Sequence, residues 1–260
     1  MRHDPTTGGT GLATQEKAEY LAEIVAGACP DDVWLTYCSA VERCGFVRLA
    51  YTCLPAPNPG TPPDMSEALL LNRCPQALLD AYLDDELYLE SPMALWAQHN
   101  SGFASNAEIL RSVRLKPSVR LVRLLHLRMK YRSGLGYVGG FKDVVPGVIG
   151  GIALHAEVGW PAVEVENLWR MYGRDVADLS RAMHLRVATL PHPVLRPLTS
   201  RQTEVLDWIS RGKTATEVAT ITGISATTVE KHLRGARDAL RATNTPEAVR
   251  KAIRLNLLNA

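Results

Sequence analysis

The sequence lacks a strong charge bias and any long apolar run. Its 260 residues carry 29 Lys and Arg against 27 Asp and Glu, so the formal net charge is only +2. Taken over the whole chain, a balance this even says little about partners. The segment Met1–Gln15 is polar and rich in glycine and threonine, and nothing in the chain is typical of a secretory signal or a transmembrane helix. We therefore expect a cytoplasmic protein that has no membrane partner.

Cysteines are few, and their spacing suits neither disulfides nor metal. All five fall in the first third of the chain, at Cys29, Cys38, Cys44, Cys53 and Cys74. None forms a CxxC pair and the number is odd, which argues against a disulfide framework. With no secretory signal, this pattern indicates reduced thiols. We expect most of them to be small core residues, with a redox sensor as the alternative.

Catalytic motifs are also missing. The sequence contains no GxSxG, no phosphate-binding loop, and no cluster of His, Cys, Asp and Glu at metal-ligand spacing. The seven histidines are scattered. The glycines in Gly134-Leu135-Gly136 and Gly139-Gly140 are weak signals that a strand hairpin explains. We therefore expect no enzyme, no catalytic residue, no cofactor and no metal site.

The charge is unevenly distributed along the chain. The stretch Leu198–Ala260 has ten Lys and Arg against six Asp and Glu, a net of +4, so the rest of the chain carries a net of −2. A basic C-terminal part on a slightly acidic body fits a nucleic-acid reader attached to a second domain, and a solvated basic face is the alternative. Three prolines between residues 188 and 197 predict an extended linker. We therefore expect a domain 1–187, a linker 188–197 and a domain 198–260.

The N-terminal part alternates between helical and strand patterns. The predicted helices cover residues 14–28, 33–44, 75–99, 121–131 and 161–187. The predicted strands cover residues 46–52, 68–71, 134–141 and 147–155, the last two as an antiparallel hairpin, and loops cover residues 55–63 and the region around Ser101 and Gly102. This order predicts an α+β fold in which helices pack against a central antiparallel sheet.

The C-terminal part is helical in pattern throughout, and four helices are predicted. Thr199 is suited to cap the first helix, with Gln202 completing a capping box. The second helix, Thr216–Ile221, is followed by a turn that contains glycine, and Ser225 caps the third. The fourth covers residues 246–257. The apolar positions expected in the core are Val205, Leu206, Trp208, Ile209, Val218, Ala219, Ile221, Val229, Leu233, Ala236 and Leu240.

A short helix, a tight turn and a polar third helix are what insertion into the major groove requires. The module matches a known family at Leu198-Thr199-x-Arg201-x-x-Glu204-Val205-Leu206, Gly212-Lys213-Thr214, Glu217-Val218-Ala219, Ile224-Ser225, Thr228-Val229-x-x-His232-Leu233 and Ala248-Val249. On these residues it resembles the DNA-binding domain of the LuxR family. The resemblance implies that the third helix reads the major groove of double-stranded DNA and that the fourth helps to form a homodimer.

The expected DNA contacts lie on or near the third helix: Lys213, Thr227, Thr228, Glu230, Lys231, Arg234 and Arg237. Lys213 and Thr227 would contact phosphates, which set affinity but not sequence. Gln202 stands where the family usually has Glu, and Glu230 stands where relatives often carry a basic residue. Because Glu230 can accept a hydrogen bond from cytosine N4, we expect an altered sequence preference. For each basic residue the alternative is a solvated helix face.

LuxR-type modules follow either a phosphoacceptor receiver or a small-molecule domain. A receiver needs an acidic pair directly after an apolar strand, but Asp31-Asp32 follows a proline. The N-terminal part instead resembles the autoinducer-binding domain of quorum-sensing LuxR regulators. The matching stretches are Cys74-Pro75-x-x-Leu78-x-x-x-Tyr82, Ser91-Pro92, Phe103-Ala104-Ser105 and Arg132-Ser133-Gly134. The resemblance implies an α-β-α sandwich that holds its ligand between the sheet and one helical layer.

Three positions depart from the pattern of that family. The family has Trp at the position of Leu78, Asp at that of Ser91 and Trp at that of Ser105. In acyl-homoserine lactone receptors a Trp indole N–H binds the lactone carbonyl, and the Asp carboxylate accepts the ligand amide N–H. Losing both would cost about 3–5 kcal/mol of binding free energy. Three hypotheses stay open: a small ligand other than a standard acyl-homoserine lactone, a domain that works without ligand, or lactone binding through Ser105, Trp96 or Tyr51.

The candidate ligand residues are therefore Tyr51, Leu78, Tyr82, Ser91, Trp96 and Ser105. Tyr82 and Trp96 have a plain alternative as core residues. The sequence as a whole predicts a sequence-specific transcription regulator. A rival is an antiactivator that pairs with a true receptor, and such a protein would bind no operator alone.

Overall fold

The computed structural model describes residues 11–57, 61, 63–113, 118–132, 135–191 and 197–258. The chain forms two compact units, Met1–Ala188 and Thr189–Ala260. Parts of three stretches singled out above lie outside the described residues, namely Ser133-Gly134, residues 58–60 and 62 of the predicted loop, and residues 192–196 of the predicted linker. The first two residues of that linker still belong to a long helix.

A five-stranded antiparallel sheet forms the centre of the N-terminal unit. Its strands are β1 (Phe46–Pro55), β2 (Leu69–Asn72), β3 (Ser101–Ser105), β4 (Gly136–Phe141) and β5 (Val148–Ala156). They lie in the order β2-β1-β5-β4-β3. The predicted hairpin is confirmed, because β4 and β5 are antiparallel neighbours with Val138 opposite Ala153.

Strand β3 occupies the region around Ser101 and Gly102, so the prediction of a loop there is wrong. The strand runs along β4 from Ser101, opposite Phe141, to Ser105, opposite Tyr137. It is a five-residue edge strand, and a run that short carries little periodic signal. Pairing with β4 decides its conformation, and that pairing is not visible in the local sequence.

The described part of the N-terminal unit holds seven α-helices. They are α1 (Thr14–Ala26), α2 (Pro30–Arg43), α3 (Gln76–Asp84), α4 (Pro92–His99), α5 (Asn106–Ser112), α6 (Val119–Lys130) and α7 (Ala162–Thr189). The helical region predicted over residues 75–99 is interrupted between α3 and α4. Glu86 takes a left-handed conformation, with φ of 51°, and a 3-10 turn follows at Leu87–Leu89. A left-handed residue cannot continue an α-helix, so α3 ends before Glu86 and α4 is a separate helix.

The helices lie on both faces of the sheet, which confirms the predicted α-β-α sandwich. On one face, the ring of Tyr51 in β1 lies 6.2 Å from the ring of Trp34 in α2. In the same layer, Trp169 of α7 stacks on Tyr137 of β4, with 3.9 Å between ring centroids. Each such aromatic pair adds about 0.5–1.5 kcal/mol beyond the area it buries. These pairs hold α2 and α7 against the sheet.

On the other face, α4 approaches β4 and β5 closely enough to require glycine. A Cβ on Gly140 would lie 2.3 Å from the carbonyl oxygen of Asn100 and 2.7 Å from that of Ala97. A Cβ on Gly151 would lie 2.9 Å from the Cβ of Ala97. Glycine is the residue used where two backbones approach this closely. The glycine-rich strands are therefore explained by the packing of α4.

The described part of the C-terminal unit holds four helices: α8 (Ser200–Ser210), α9 (Ala215–Thr222), α10 (Ala226–Ala239) and α11 (Thr245–Arg254). The predicted capping box of α8 is confirmed. The Gln202 N–H donates to Thr199 Oγ1 at 3.3 Å, and the Thr199 N–H donates to Gln202 Oε1 at 2.9 Å. Ser225 caps α10, as predicted.

One core prediction in this unit is wrong. The core forms on the predicted apolar faces, with Val205, Leu206, Val218, Val229, Leu233, Ala236 and Leu240 buried. Ile221, however, is 47% exposed. At about 100° per residue, Ile221 lies roughly a third of a turn from the buried face that Val218 and Ala219 define. In a helix of eight residues the periodicity was too short to separate these positions.

The thiols behave as core side chains. All five cysteines are free, and Cys38, Cys44 and Cys53 are buried. Burial raises their pKa values to about 12, 12 and 11, which makes them poor nucleophiles. Within the described ranges no three His, Cys, Asp or Glu side chains come together as metal ligands. In the same ranges no helix combines the length and the hydropathy needed to cross a bilayer.

Candidate functional site

A cavity of about 220 Å³ lies between the sheet and the layer of α3, α4 and α6. Ala50 and Thr52 of β1 lie at its floor, on the face opposite the ring of Tyr51, because side chains alternate along a strand. Much of the wall is apolar, with Leu79 of α3 and Leu124 of α6. The volume is below the roughly 300–1,000 Å³ of drug-sized sites, so it suits a small or slender ligand.

Ion pairs connect α6 to the segment that follows α3. Arg123 contacts Asp85 at 3.0 Å, and Arg120 contacts Glu86. Both pairs are largely exposed, so each contributes only about 0–1 kcal/mol. They link the outer face of α6 to the segment that follows α3.

Tyr82 of α3 and Ser91 form a neutral polar spot in the cavity wall. Burial raises the pKa of Tyr82 to about 12, an effect that the neighbouring Ser91 side chain opposes, so the phenol stays protonated. The Ser91 hydroxyl also accepts from the Ala94 N–H at 3.4 Å and so caps α4. The pair offers hydroxyl groups to a ligand but no charge.

Arg128 of α6 and His155 of β5 also line the cavity. Burial lowers the pKa of Arg128, and Nη1 of its guanidinium lies 3.2 Å from Sδ of Met93. The pKa of His155 falls to about 4, first through burial and then through the charge of Arg128. The imidazole is therefore neutral near pH 7, and its Nδ1 lies 3.3 Å from the Leu135 carbonyl oxygen, as a donor to it. The site thus combines one guanidinium with one neutral imidazole.

Three of the six predicted ligand residues, Leu78, Tyr82 and Ser91, have side chains in the cavity wall. They are the residues taken from the α3 and Ser91-Pro92 stretches of the resemblance. Leu78 places an apolar side chain, and Ser91 a neutral one, where the family has a donor and a carboxylate. At these two positions the described part of the wall therefore offers neither the indole donor nor the carboxylate expected from the resemblance.

The other three predicted ligand residues do not offer a polar group to the cavity. The backbone of Tyr51 borders it, but the ring points to the opposite face, where the hydroxyl bonds to His184. Trp96 packs against an apolar cluster that includes Met93 and Ile109, and it is not among the described residues that line the cavity. Ser105 caps α5 through reciprocal hydrogen bonds with Glu108. The substitute groups proposed for lactone binding are thus engaged elsewhere, each in local packing or capping.

Sequence reasoning missed Arg128 and His155, although one signal was present for Arg128. In α6, Leu121 and Leu124 are buried, and Arg128 follows them at seven and four residues. Positions at that spacing share a helix face, so Arg128 falls on the buried side of an otherwise exposed basic helix. For His155 the sequence gives no comparable signal. Because the neighbouring strands are glycine-rich, the alternation of side chains along β5 does not single out this residue.

Four polar side chains form one exposed stripe on α10. Thr227, Glu230, Lys231 and Arg234 are all exposed, and their spacing of three, four and seven residues places them on one helix face. The opposite face is buried through Val229 and its neighbours in the core. Side chains on such a stripe can reach base edges and phosphates when a helix lies in the major groove.

The remaining predicted DNA residues have different positions. Lys213 is exposed just before α9. The Thr228 hydroxyl lies 2.8 Å from the Ser225 hydroxyl at the start of α10. Arg237 is turned toward α11, where Nη1 donates to Thr245 Oγ1 at 2.9 Å. Thr228 and Arg237 therefore have structural roles within the module. Of the predicted DNA-binding residues, this leaves Lys213 and the four residues of the stripe as exposed side chains directed away from the core.

Gln202 has a local role as well. Its side chain closes the α8 capping box, and a Cβ added to Gly235 of α10 would lie 2.4 Å from Gln202 Nε2. Gln202 thus packs between α8 and the buried side of α10. This position gives Gln202 a capping and packing role within the module.

Comparison with known proteins agrees with both candidate sites, the cavity and the α10 stripe. Residues 30–186 match the family described as autoinducer binding domain. Residues 196–252 match the family described as bacterial regulatory proteins, luxR family. The first match alone spans more than half of the chain, and the two together include every residue of the cavity and of the α10 stripe discussed above.

Whole-length relatives are transcription regulators. The chain is 27% identical over 229 residues to the transcriptional activator protein BjaR1 of Bradyrhizobium diazoefficiens. The alignment covers 85% of this chain and 87% of that protein. It is 29% identical over 239 residues to the HTH-type quorum sensing-dependent transcriptional regulator RpaR of Rhodopseudomonas palustris, with 85% and 86% covered.

A solved structure shares the fold over about two thirds of the chain. The crystal structure of the N-acylhomoserine lactone dependent LuxR family transcription factor CepR2 of Burkholderia cenocepacia matches with a TM-score of 0.50 and 15% identity. The match covers 66% of this chain and 93% of that one. At this identity the likeness concerns the fold alone.

Proposed function

The chain belongs to the LuxR family of bacterial transcription regulators, with an autoinducer-binding domain followed by a LuxR-type DNA-binding domain, and from this we propose how its domains act. A homodimer reads a two-fold symmetric operator through α10. The N-terminal domain binds a small molecule that is not a standard acyl-homoserine lactone, and this binding alters the affinity for the operator. A chromosomal operator would place the protein in the cytoplasm.

The observation that carries the DNA-reading proposal is the stripe of Thr227, Glu230, Lys231 and Arg234. Its members are exposed on one face of a helix whose other face is fully packed. Lys231 and Arg234 supply positive charge for phosphates and guanine edges, and Glu230 supplies an acceptor for cytosine. Lys213, at the start of the helix-turn-helix, supports a further phosphate contact. Two copies of this helix, one turn of DNA apart, would read the two half-sites.

The cavity supports the ligand proposal over the hypothesis of a domain that works without ligand. A domain packed solid around Tyr82 would leave no room for a small molecule, whereas about 220 Å³ is open beside it. The side chains at Leu78 and Ser91 argue against a standard lactone, because neither replaces the lost indole donor or carboxylate. The surroundings of Tyr51, Trp96 and Ser105 supply no substitute. A different ligand is the hypothesis that fits all of these contacts.

In vitro selection from a pool of random duplex DNA tests the function directly. The full-length chain should enrich a two-fold symmetric sequence, and sedimentation should show a dimer on it. Enrichment of no sequence, with the chain folded, would overturn the proposal and favour an antiactivator that acts only with a partner receptor. Enrichment of a single asymmetric half-site would overturn the dimeric part alone.

A further inference from the structure

The side chain of His155 lies on the face of the sheet that forms the floor of the cavity. Ala153 lies on this face, since it pairs across the ladder with Ala50 of the floor. His155 follows Ala153 by two residues on β5, and side chains two residues apart on a strand share a face. The side chain is half-buried, and the residue is one of those that line the cavity. The imidazole therefore faces the ligand space.

The hydrogen bond of this ring determines which of its nitrogens can accept. Nδ1 lies 3.3 Å from the carbonyl oxygen of Leu135. A carbonyl oxygen only accepts, so Nδ1 carries the proton. In a neutral imidazole the other nitrogen, Nε2, then has the lone pair and is an acceptor. Among the described residues, the bond from Nδ1 is the one that the ring makes.

The surroundings of His155 keep the ring neutral and so keep Nε2 an acceptor. Burial lowers the pKa of His155 to about 4, and the charges of Arg128 and Arg48 act in the same direction. The sheet explains the effect of Arg48, because this residue of β1 lies directly opposite His155. Nη1 of Arg48 donates to the Tyr131 carbonyl oxygen at 2.8 Å, which fixes its position. Near pH 7 the cavity thus presents an imidazole lone pair.

An acceptor in an apolar wall discriminates between ligands. The nearest residues of the floor, Ala50 and Ala153, have methyl side chains and no donor. A ligand that fills the cavity excludes water from Nε2. If the ligand has no donor of its own, the acceptor is left buried and unpaired, which is costly, whereas a ligand that donates a hydrogen bond avoids this cost.

We propose that the ligand is a neutral molecule with a slender apolar chain and an O–H or N–H group, and that this group donates a hydrogen bond to Nε2 of His155. The proposal rests on the ligand-binding function proposed above and names the class of ligand and the residue that orients it. A neutral donor fits better than an ammonium group, because Arg48 already places a positive charge beside the ring. Apolar side chains of the wall, such as Leu79 and Leu124, accept the chain.

Titration calorimetry of the full-length chain near neutral pH tests this inference with matched pairs of probes. Hexanol, octanol and decanol are each compared with a methyl ether that has the same number of non-hydrogen atoms. Hexanamide and octanamide are each compared with the ketone in which a methyl group replaces the amino group. In the pair that fits the cavity, the donor should bind about 5- to 100-fold more tightly than its partner. Ethers and ketones that bind as tightly as the alcohols and amides would overturn the proposal.

Variants locate the effect. His155→Leu removes the acceptor, so it should abolish the preference for the donor while keeping the affinity for the ether, which also shows that the variant is folded. His155→Gln places an amide oxygen near the position of Nε2 and should retain part of the preference. His126→Leu is the matched control, since it removes an exposed histidine of α6, and it should leave the preference unchanged. A preference that survives in His155→Leu would contradict the proposal.

Nitrogen NMR of the histidine rings gives a readout that a purely structural role for His155 would not change. The free chain should show His155 neutral, with its proton on Nδ1. The preferred alcohol or amide should shift the Nε2 signal in the direction of a hydrogen-bonded acceptor, and the matched ether or ketone should not. Equal shifts with both members of a pair, or a proton on Nε2 in the free chain, would overturn the proposal.

Operator selection on the same preparation separates this inference from the function beneath it. If alcohols and ethers bind alike, the hydrogen bond to His155 is wrong and the ligand-binding function stands. If none of the probes binds but the chain selects a symmetric operator, the inference is wrong and the regulator stands. If the donors bind with the expected preference but no DNA sequence is enriched, the inference stands and the DNA-reading function is wrong.

Discussion

The hydroxyl of Tyr51 lies 2.7 Å from Nδ1 of His184, and both side chains are buried between β1 and α7. Nε2, the other ring nitrogen, is buried with no hydrogen-bond partner among the described residues. Burial lowers the pKa of His184 to about 4, while the nearby Asp143 raises it slightly. An imidazolium here would be desolvated, so the folded protein holds the neutral ring.

This burial predicts a pH dependence of stability. The unfolded chain takes up a proton on His184 below about pH 6.5, and the folded chain does so only near pH 4. The contribution is therefore complete above about pH 6.5 and is lost as the pH falls toward 4. The loss is on the order of 1–3 kcal/mol. Chemical denaturation of the full-length chain at several pH values should show it, with His155 adding a loss of the same sign.

The variant His184→Gln checks the assignment, since glutamine keeps a hydrogen-bonding partner for Tyr51 but does not titrate. Its stability should change less steeply between pH 6.5 and 4 than that of the wild-type chain, whatever its stability at pH 8. An unchanged slope would mean that His184 is not the titrating group.

Packing of α4 on the sheet predicts a sensitive glycine. In Gly140→Ala the new Cβ would meet the carbonyl oxygens of Asn100 and Ala97, which are backbone atoms that cannot rotate away. We expect a loss of about 1–3 kcal/mol in the unfolding free energy of the N-terminal domain. Gly102→Ala is the control: its Cβ meets nothing, so only the strain of a left-handed alanine remains. A loss below about 1 kcal/mol in Gly140→Ala would argue against the close approach.

The cavity lining predicts how to restore lactone binding. Leu78→Trp with Ser91→Asp adds an indole donor and a carboxylate at two positions in the cavity wall. The double variant should bind N-octanoyl-homoserine lactone at least about ten-fold more tightly than the wild-type chain. Calorimetry on both proteins measures the difference. If the folded double variant shows no gain, these positions do not correspond to the lactone contacts of the family.

The acidic residue in the α10 stripe predicts an altered base preference. Glu230→Gln replaces a side chain that accepts from cytosine with one that pairs with adenine, so one base position in each half-site should change. Selection from random DNA with both proteins shows the change. Lys213→Ala serves for comparison, because loss of a phosphate contact should weaken binding to all sequences alike and reduce the salt dependence by about one ion. Identical preferences in wild type and Glu230→Gln would exclude a base contact at this position.

The features that the sequence predicted correctly are those that depend on residues close together in the chain. The Thr199 and Gln202 capping box, the Ser225 cap and the buried face of α10 all follow from spacing over a few residues, and the structure has each of them. The features that the sequence did not show depend on tertiary contacts. Strand β3 forms because β4 lies beside it, and Ile221 is exposed because it lies off the helix face that packs into the core.

The two candidate sites differ in the same way, one depending on local and the other on tertiary structure. The exposed stripe on α10 is a property of one helix and could be predicted. The cavity is a property of several elements at once. Whether Tyr51 faces it, and whether Arg128 reaches it, depends on the orientation of a strand and a helix relative to the sheet. Of the six predicted ligand residues, those with side chains at the cavity all came from two stretches of the family resemblance.

A DNase footprint on the selected operator tests the central claim most directly, using wild-type chain, Arg234→Ala and Arg201→Ala. Arg234 belongs to the exposed stripe, whereas Arg201 lies on α8 and pairs with Glu204. We predict that Arg234→Ala loses the footprint at concentrations that saturate the wild-type chain, while its dimer and its thermal stability stay unchanged, and that Arg201→Ala protects the operator as before. A footprint of the same extent and affinity with Arg234→Ala would contradict the claim that α10 reads the DNA.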